Sequence, residues 1–100
     1  MNSKIVQYAH KFKDLMVEWR RHLHRYPELS FHEHSTADFI ALQLEQMGYD
    51  VLKNVAGTGV VAQYGSGENK GPVVAFRAEL DALPIIEQTG LQFQSQNKGV

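Results

Sequence analysis

Arg77-Ala78-Glu79-Leu80-Asp81-Ala82-Leu83-Pro84 is the stretch on which the reading of this chain turns. It follows Val73-Val74-Ala75-Phe76, a short apolar run of the kind that lies deep in a sheet. Charged groups at the end of such a strand are costly to desolvate and need partners. In open α/β sheets, ligands gather at the carboxyl ends of strands. The stretch therefore marks both a buried strand and a candidate site, without naming a reaction.

Working outward, residues 59–64 and 72–78 are valine-rich and flank Gly65-Ser66-Gly67-Glu68-Asn69-Lys70-Gly71. The glycines there suit a hairpin connection between the two runs. The loop has a G-x-G but no G-x-G-x-x-G and no helix after it, which argues against a nucleotide cradle. Residues 49–54 form a further short strand signal.

Upstream, Ile5, Tyr8, Phe12, Leu15, Met16, Trp19 and Leu23 recur at three- and four-residue steps, predicting a helix over 3–25 with one apolar stripe for core packing. Ser3 can cap its start and Pro27 stops it. Ser30-Phe31-His32-Glu33 has the form of a capping box and predicts a second helix from about residue 31. Ala37, Ile40, Ala41, Leu44 and Met47 form its inner face, and Gly48 suits a left-handed end. After Pro84 the chain reads as a polar, loop-like tail. The class is α/β: two N-terminal helices, a strand and a β-hairpin, in one domain without repeats. Its apolar strands call for more cover than two helices give, so the isolated chain is expected to associate or aggregate.

Composition is that of an ordinary soluble chain: 100 residues, 43% hydrophobic, 21% charged, formal net charge −1. That balance gives no pull toward nucleic acid or anionic membrane. No run approaches the roughly 18 apolar residues of a membrane span, and the N-terminal charges interrupt any signal peptide, so a cytoplasmic protein is expected. Cysteine is absent, which removes disulfides and thiolate metal sites. His22 and His24 are two apart, as are His32 and His34, and neither pair makes the i, i+4 clamp of a zinc helix. They read as solvated or partly packed imidazoles. No serine lies in a nucleophile-elbow context.

Glu79 and Asp81 alternate with Leu80 and so share one side of an extended backbone. Such a pair can bind a divalent cation, share a proton, or orient a histidine ligand. Alternatively, Arg77 on the same side neutralises one of them. The residues leave both readings open.

Taken together, Trp19-Arg20-Arg21-His22-Leu23-His24-Arg25-Tyr26-Pro27-Glu28-Leu29-Ser30-Phe31, Gly57-Thr58-Gly59-Val60-Val61-Ala62, the 77–84 stretch with Ile85, and Thr89-Gly90-Leu91 with residues 95–100 occur in the order of one family. The chain resembles, over roughly residues 12–100, the zinc-type amidohydrolases. These include the N-acyl-amino-acid amidohydrolases, hippurate hydrolases and auxin-conjugate hydrolases of the wider aminoacylase and carboxypeptidase group.

The resemblance implies the first part of a zinc-exopeptidase-like catalytic domain within a two-domain enzyme several times this length, with an inserted dimerisation domain. It implies hydrolysis of the amide bond of N-acyl amino acids, peptides or similar small conjugates, and a homo-oligomer. Zinc, manganese or cobalt would activate a water, with a glutamate as general base. In the family a histidine- and cysteine-containing metal motif follows the position of Val100, and the other ligands and the base come later. The 100 residues are thus expected to bind no metal and to be inactive alone. Asp81 matches the second acid of the family's R-A-D-M-D-A-L-P pattern and would support the site by orienting a ligand. Glu79 matches the first acid but is one methylene longer, Leu80 stands for methionine, and Arg77 is the positioning counter-charge. A rival expectation is a non-catalytic remnant that binds a partner through its uncovered strands; a complete small enzyme using Glu79 and Asp81 alone lacks strong ligands.

Overall fold

The computed structural model describes residues 3–65, 68 and 71–100. Helix α1 spans Ser3–Arg25, α2 spans His34–Gln46, and strands β1 (Asp50–Val55) and β2 (Gly59–Gln63) form an antiparallel hairpin. This is the α/β order of two helices followed by a strand hairpin.

Helix α1 runs over the predicted residues, and the chain turns away at Pro27, whose ring cannot continue a helix. Its stripe, however, is not a core. No residue of α1 is buried, and Ile5, Tyr8, Phe12, Leu15 and Met16 are all exposed. Its last turns meet α2. Trp19 donates its indole N–H to Gln43 Oε1 of α2 at 3.1 Å, and the His22 ring stacks on Phe39 at 3.9 Å between centroids.

Helix α2 starts later than the capping box suggests. Glu33 occupies the cap position without a side-chain cap bond, and Ser30 plays no part in it. Phe31 has φ 65°, a left-handed conformation that turns the backbone between Ser30 and the helix. The free N–H groups of the first turn are met instead by Glu28, from outside the motif. The far end is as expected. Gly48 (φ 94°) donates to Glu45 O at 3.0 Å and Tyr49 to Leu44 O at 3.1 Å, a paired closure that a left-handed residue permits.

The hairpin falls one element earlier than the glycine-rich loop implies. Asp50, Val51 and Leu52 pair with Gln63, Ala62 and Val61; the register then shifts by one residue, and Val55 pairs with Gly59. Asn54, Ala56 and Gly57 all have positive φ around this bulge. A Cβ on Gly59 would lie 2.6 Å from Val55 O, so the close approach of backbones requires glycine there. The sheet packs on α2, and among the described residues the buried ones are Thr36, Ala37, Ala41 and Thr58.

Residues 72–78 form no ladder with β2. From 72 to 81 the chain runs without turn or bend and makes no backbone–backbone hydrogen bond among the described residues. Val73 is 97% and Phe76 96% exposed. A strand pattern is present without a strand's partner. Most of the expected hairpin loop (residues 66, 67, 69 and 70) lies outside the described residues.

Candidate functional site

The 77–84 stretch is positioned at its far end. Ala82 donates its N–H to Glu28 O at 2.8 Å, and a single parallel bridge joins Leu29 to Ala82. This pins the end of the stretch to the turn between α1 and α2. Upstream of the pin, Arg77 Nη2 lies 2.8 Å from Glu79 Oε1, with the two side chains 85% and 69% exposed. The counter-charge contact between Arg77 and Glu79 is thus formed. An ion pair this exposed adds little stability. Asp81 is exposed and has no hydrogen bond or ion pair among the described residues. The structure thus brings Arg77 to Glu79 and leaves Asp81 apart.

Among the described residues no three histidine or carboxylate side chains converge as a metal ion needs. These residues do not fit a metal centre by themselves. No described helix is long and apolar enough to cross a membrane.

Two glutamates not singled out by sequence motifs organise the surroundings. The Glu28 carboxylate accepts from the Thr36 N–H at 2.5 Å, the Thr36 hydroxyl at 2.6 Å and the Ser35 N–H at 3.3 Å. Burial acts to raise its pKa, but the Thr36 hydroxyl, the two backbone N–H groups and the charge of His34 outweigh this and hold it below the ordinary glutamate value. It sits at a helix N-terminus, where negative charge is favoured. A cavity of about 290 Å³ adjoins it, with His22, Tyr26, Ser35, Thr36 and Asn97 in its wall. Both Glu28 oxygens are engaged, so it serves there as an anchor and not as a free base.

Glu87 does similar work for the tail. It meets His24 Nε2 at 2.7 Å, accepts the Ser95 N–H at 3.0 Å and takes a hydrogen bond from the Thr89 hydroxyl. The Thr89 and Ser95 bonds, opposed by slight desolvation and helped by His24, lower its pKa. Gln96 N–H to Arg25 O (2.7 Å) and Asn97 Nδ2 to Pro27 O (2.6 Å) complete the docking, with Arg21 and His24 both against the Phe93 ring. His22 and His24 are thus packed and paired on the fold. A local sequence signal for Glu28 was available in its place after Pro27, just ahead of a helix; Glu87 and Asn97 had none.

At the same N-terminal end of α2 that Glu28 holds, the Thr58 hydroxyl, of a buried residue, donates to Glu33 Oε2 at 3.2 Å. This fixes the Gly57-Thr58-Gly59 turn against the helix start.

No protein-family model matches the chain. It is similar to proteins of known name: 42% identical over 98 residues to the N-acyl-L-amino acid amidohydrolase of Geobacillus stearothermophilus, covering 98% of this chain and 26% of that protein. Against the N-acetyl-L-cysteine deacetylase of Bacillus subtilis it is 48% identical over 85 residues, 85% of this chain and 20% of the other. Among solved structures it superposes with a TM-score of 0.80 on the Bacillus subtilis YXEP protein, a dinuclear metal binding peptidase from the M20 family, at 42% identity over 90% of this chain and 25% of that one. The fold and the ordered motifs define a hydrolase-type α/β segment. The chain is similar to proteins named as amidohydrolases and to a peptidase of the M20 family, and corresponds to the N-terminal part of such proteins. It spans about a fifth to a quarter of the length of the curated relatives it matches.

Proposed function

We propose that this chain is the N-terminal part of the catalytic domain of a cytoplasmic, metal-dependent amidohydrolase that cleaves the amide bond of N-acyl amino acids or similar small conjugates. The observation that carries the reading is the 42% identity to an N-acyl-L-amino acid amidohydrolase over 98 residues, which includes the 77–84 stretch. In the whole enzyme, one or two bound ions (zinc, manganese or cobalt) would polarise the scissile carbonyl and lower the pKa of a water. This chain's own contribution is Asp81, at the end of the strand-like stretch, which would accept a hydrogen bond from a ligating side chain and fix its orientation. Glu79, tied to Arg77, contributes charge balance there. A metal hydrolase needs several ligands and an open coordination position. The 100 residues offer at most a supporting carboxylate, so they are inactive alone.

A chimera tests this: the chain replaces the matching segment of the Geobacillus stearothermophilus enzyme, and release of free amino acid from N-acyl amino acids is followed. The expected result is hydrolysis, lost on Asp81→Ala and largely lost on Asp81→Asn. A folded but inactive chimera, or one indifferent to both changes, would remove the assignment.

The second reading is a partner-binding module without catalysis. It is favoured by the exposure of Val73, Val74, Phe76, Leu83, Ile85 and Ile86.

A further inference from the structure

Three backbone carbonyls at the end of α1 and in the turn beyond it receive donors from far along the chain. Gln96 donates its N–H to Arg25 O at 2.7 Å, Asn97 donates from Nδ2 to Pro27 O at 2.6 Å, and Ala82 donates its N–H to Glu28 O at 2.8 Å. The C=O groups at a helix end have no partner within the helix and must be met from outside. Here the partners come from the tail and from the stretch that carries Asp81. We infer that Asn97 is a positioning residue for Asp81, setting its place through the peptide units of Pro27 and Glu28. The role rests on the hydrolase reading and goes beyond it by naming a residue on which the placement of Asp81 depends.

The link is short. A peptide unit is planar, so two neighbouring units turn only about the φ and ψ of the residue between them. The Pro27 carbonyl belongs to the unit that enters Glu28, and the Glu28 carbonyl to the unit that leaves it. Only Glu28 separates them, and its own side chain is held by Ser35 and Thr36 at the start of α2. On the other side, the proline ring fixes φ. Holding the Pro27 carbonyl therefore aims the Glu28 carbonyl, and the N–H that this carbonyl receives belongs to the unit leaving Asp81. Asn97 is itself held in place. Its N–H donates to Ser95 Oγ at 3.2 Å, and its carbonyl accepts the Ser95 hydroxyl at 3.1 Å. Glu87 accepts the Ser95 N–H at 3.0 Å while meeting His24 of α1 at 2.7 Å.

The chimera with the Geobacillus stearothermophilus enzyme tests this, with kcat and KM measured separately. Asn97→Ala removes the donor and should lower kcat on the order of tenfold with KM little changed. Asn97→Gln keeps the donor, and the cavity of about 290 Å³ beside Asn97 has room for one more methylene, so it should recover most of the loss. Because Asn97 acts through Asp81, Asn97→Ala should change little in a chimera that already carries Asp81→Asn, where residual hydrolysis is followed. A residue that only stabilises the fold would lower activity by the same factor in both backgrounds, and that result would overturn the inference. An unaltered chimera without hydrolysis would instead remove the hydrolase reading, and this role with it.

A second measurement reads the placement without turnover. In the 100-residue chain, Asn97→Ala should speed amide hydrogen exchange at Ala82, whose N–H is bonded to Glu28 O. Exchange at Ala41, buried in α2, should stay as in the wild type. Unchanged exchange at Ala82 would overturn the coupling whatever the chimera shows. Faster exchange at Ala82 and Ala41 alike would mean a general loosening of the fold and would overturn it as well.

Discussion

Glu28 holds Thr36 by two bonds at once, accepting its backbone N–H at 2.5 Å and its hydroxyl at 2.6 Å. The backbone O of Glu28 meanwhile receives the N–H of Ala82 at 2.8 Å. One residue therefore ties the start of α2, through its side chain, to the end of the 77–84 stretch, through its main chain. Asp81, the proposed supporting carboxylate, is the next residue along.

Removing the Glu28 carboxylate should loosen the start of α2. Hydrogen bonds to a charged group contribute about 1.5–3 kcal/mol, and the Thr36 hydroxyl is buried. Glu28→Ala is expected to cost about 2–3 kcal/mol in urea unfolding. Glu28→Gln, which retains an acceptor, should cost less.

The same carboxylate gives a pH dependence of definite sign. Its folded pKa lies below the unfolded value, so its contribution is complete above about pH 4.3 and is lost as pH falls through the lowered folded value. Acid unfolding of the wild type should include this loss. Glu28→Gln should flatten the pH dependence of stability below about pH 5.

The docked tail should respond to Glu87. Its pKa is also lowered, so its bonds to Thr89, Ser95 and His24 are in place above the ordinary carboxylate range and fail as pH falls. Glu87→Gln should speed amide hydrogen exchange at Ser95 and Gln96, leaving the amides of α2 unchanged. Equal exchange at Ser95 and Gln96 in both proteins would mean that Glu87 does not hold the tail.

At the hairpin, Gly59→Ala forces a Cβ to 2.6 Å from Val55 O, a backbone atom that cannot swing aside. A loss of about 1–3 kcal/mol is expected in thermal or urea unfolding. Thr58→Val removes the donor to a half-buried Glu33, whose Oε1 is already buried without a partner. That change should cost about 1–3 kcal/mol.

Much of this was legible in the sequence, and the limits are physical. Helix α1 follows from its three- and four-residue stripe, and the end of α2 from Gly48 alone. Val73–Phe76 reads as a strand in the sequence, but a strand pattern does not name its neighbour. Residues 59–64 found a partner in 50–55 through the tight Ala56-Gly57-Thr58 turn instead of across the longer glycine-rich loop. The capping box failed because Ser30 and Glu33 match a local pattern while Phe31 takes a left-handed turn, and Glu28 supplies the acceptor from further away. Around the candidate site, Arg77 with Glu79 was readable from their shared side. The docking of Asn97 on Pro27 was not, since it joins a side chain to a backbone carbonyl 70 positions apart.

The central claim is that this chain supports a metal hydrolase site without holding it. Metal content by mass spectrometry tests that most directly, on the 100-residue protein incubated with zinc or manganese and then desalted. The account expects no stoichiometric metal to remain. About one ion per chain, lost on Asp81→Ala, would contradict it and place a metal site within these residues.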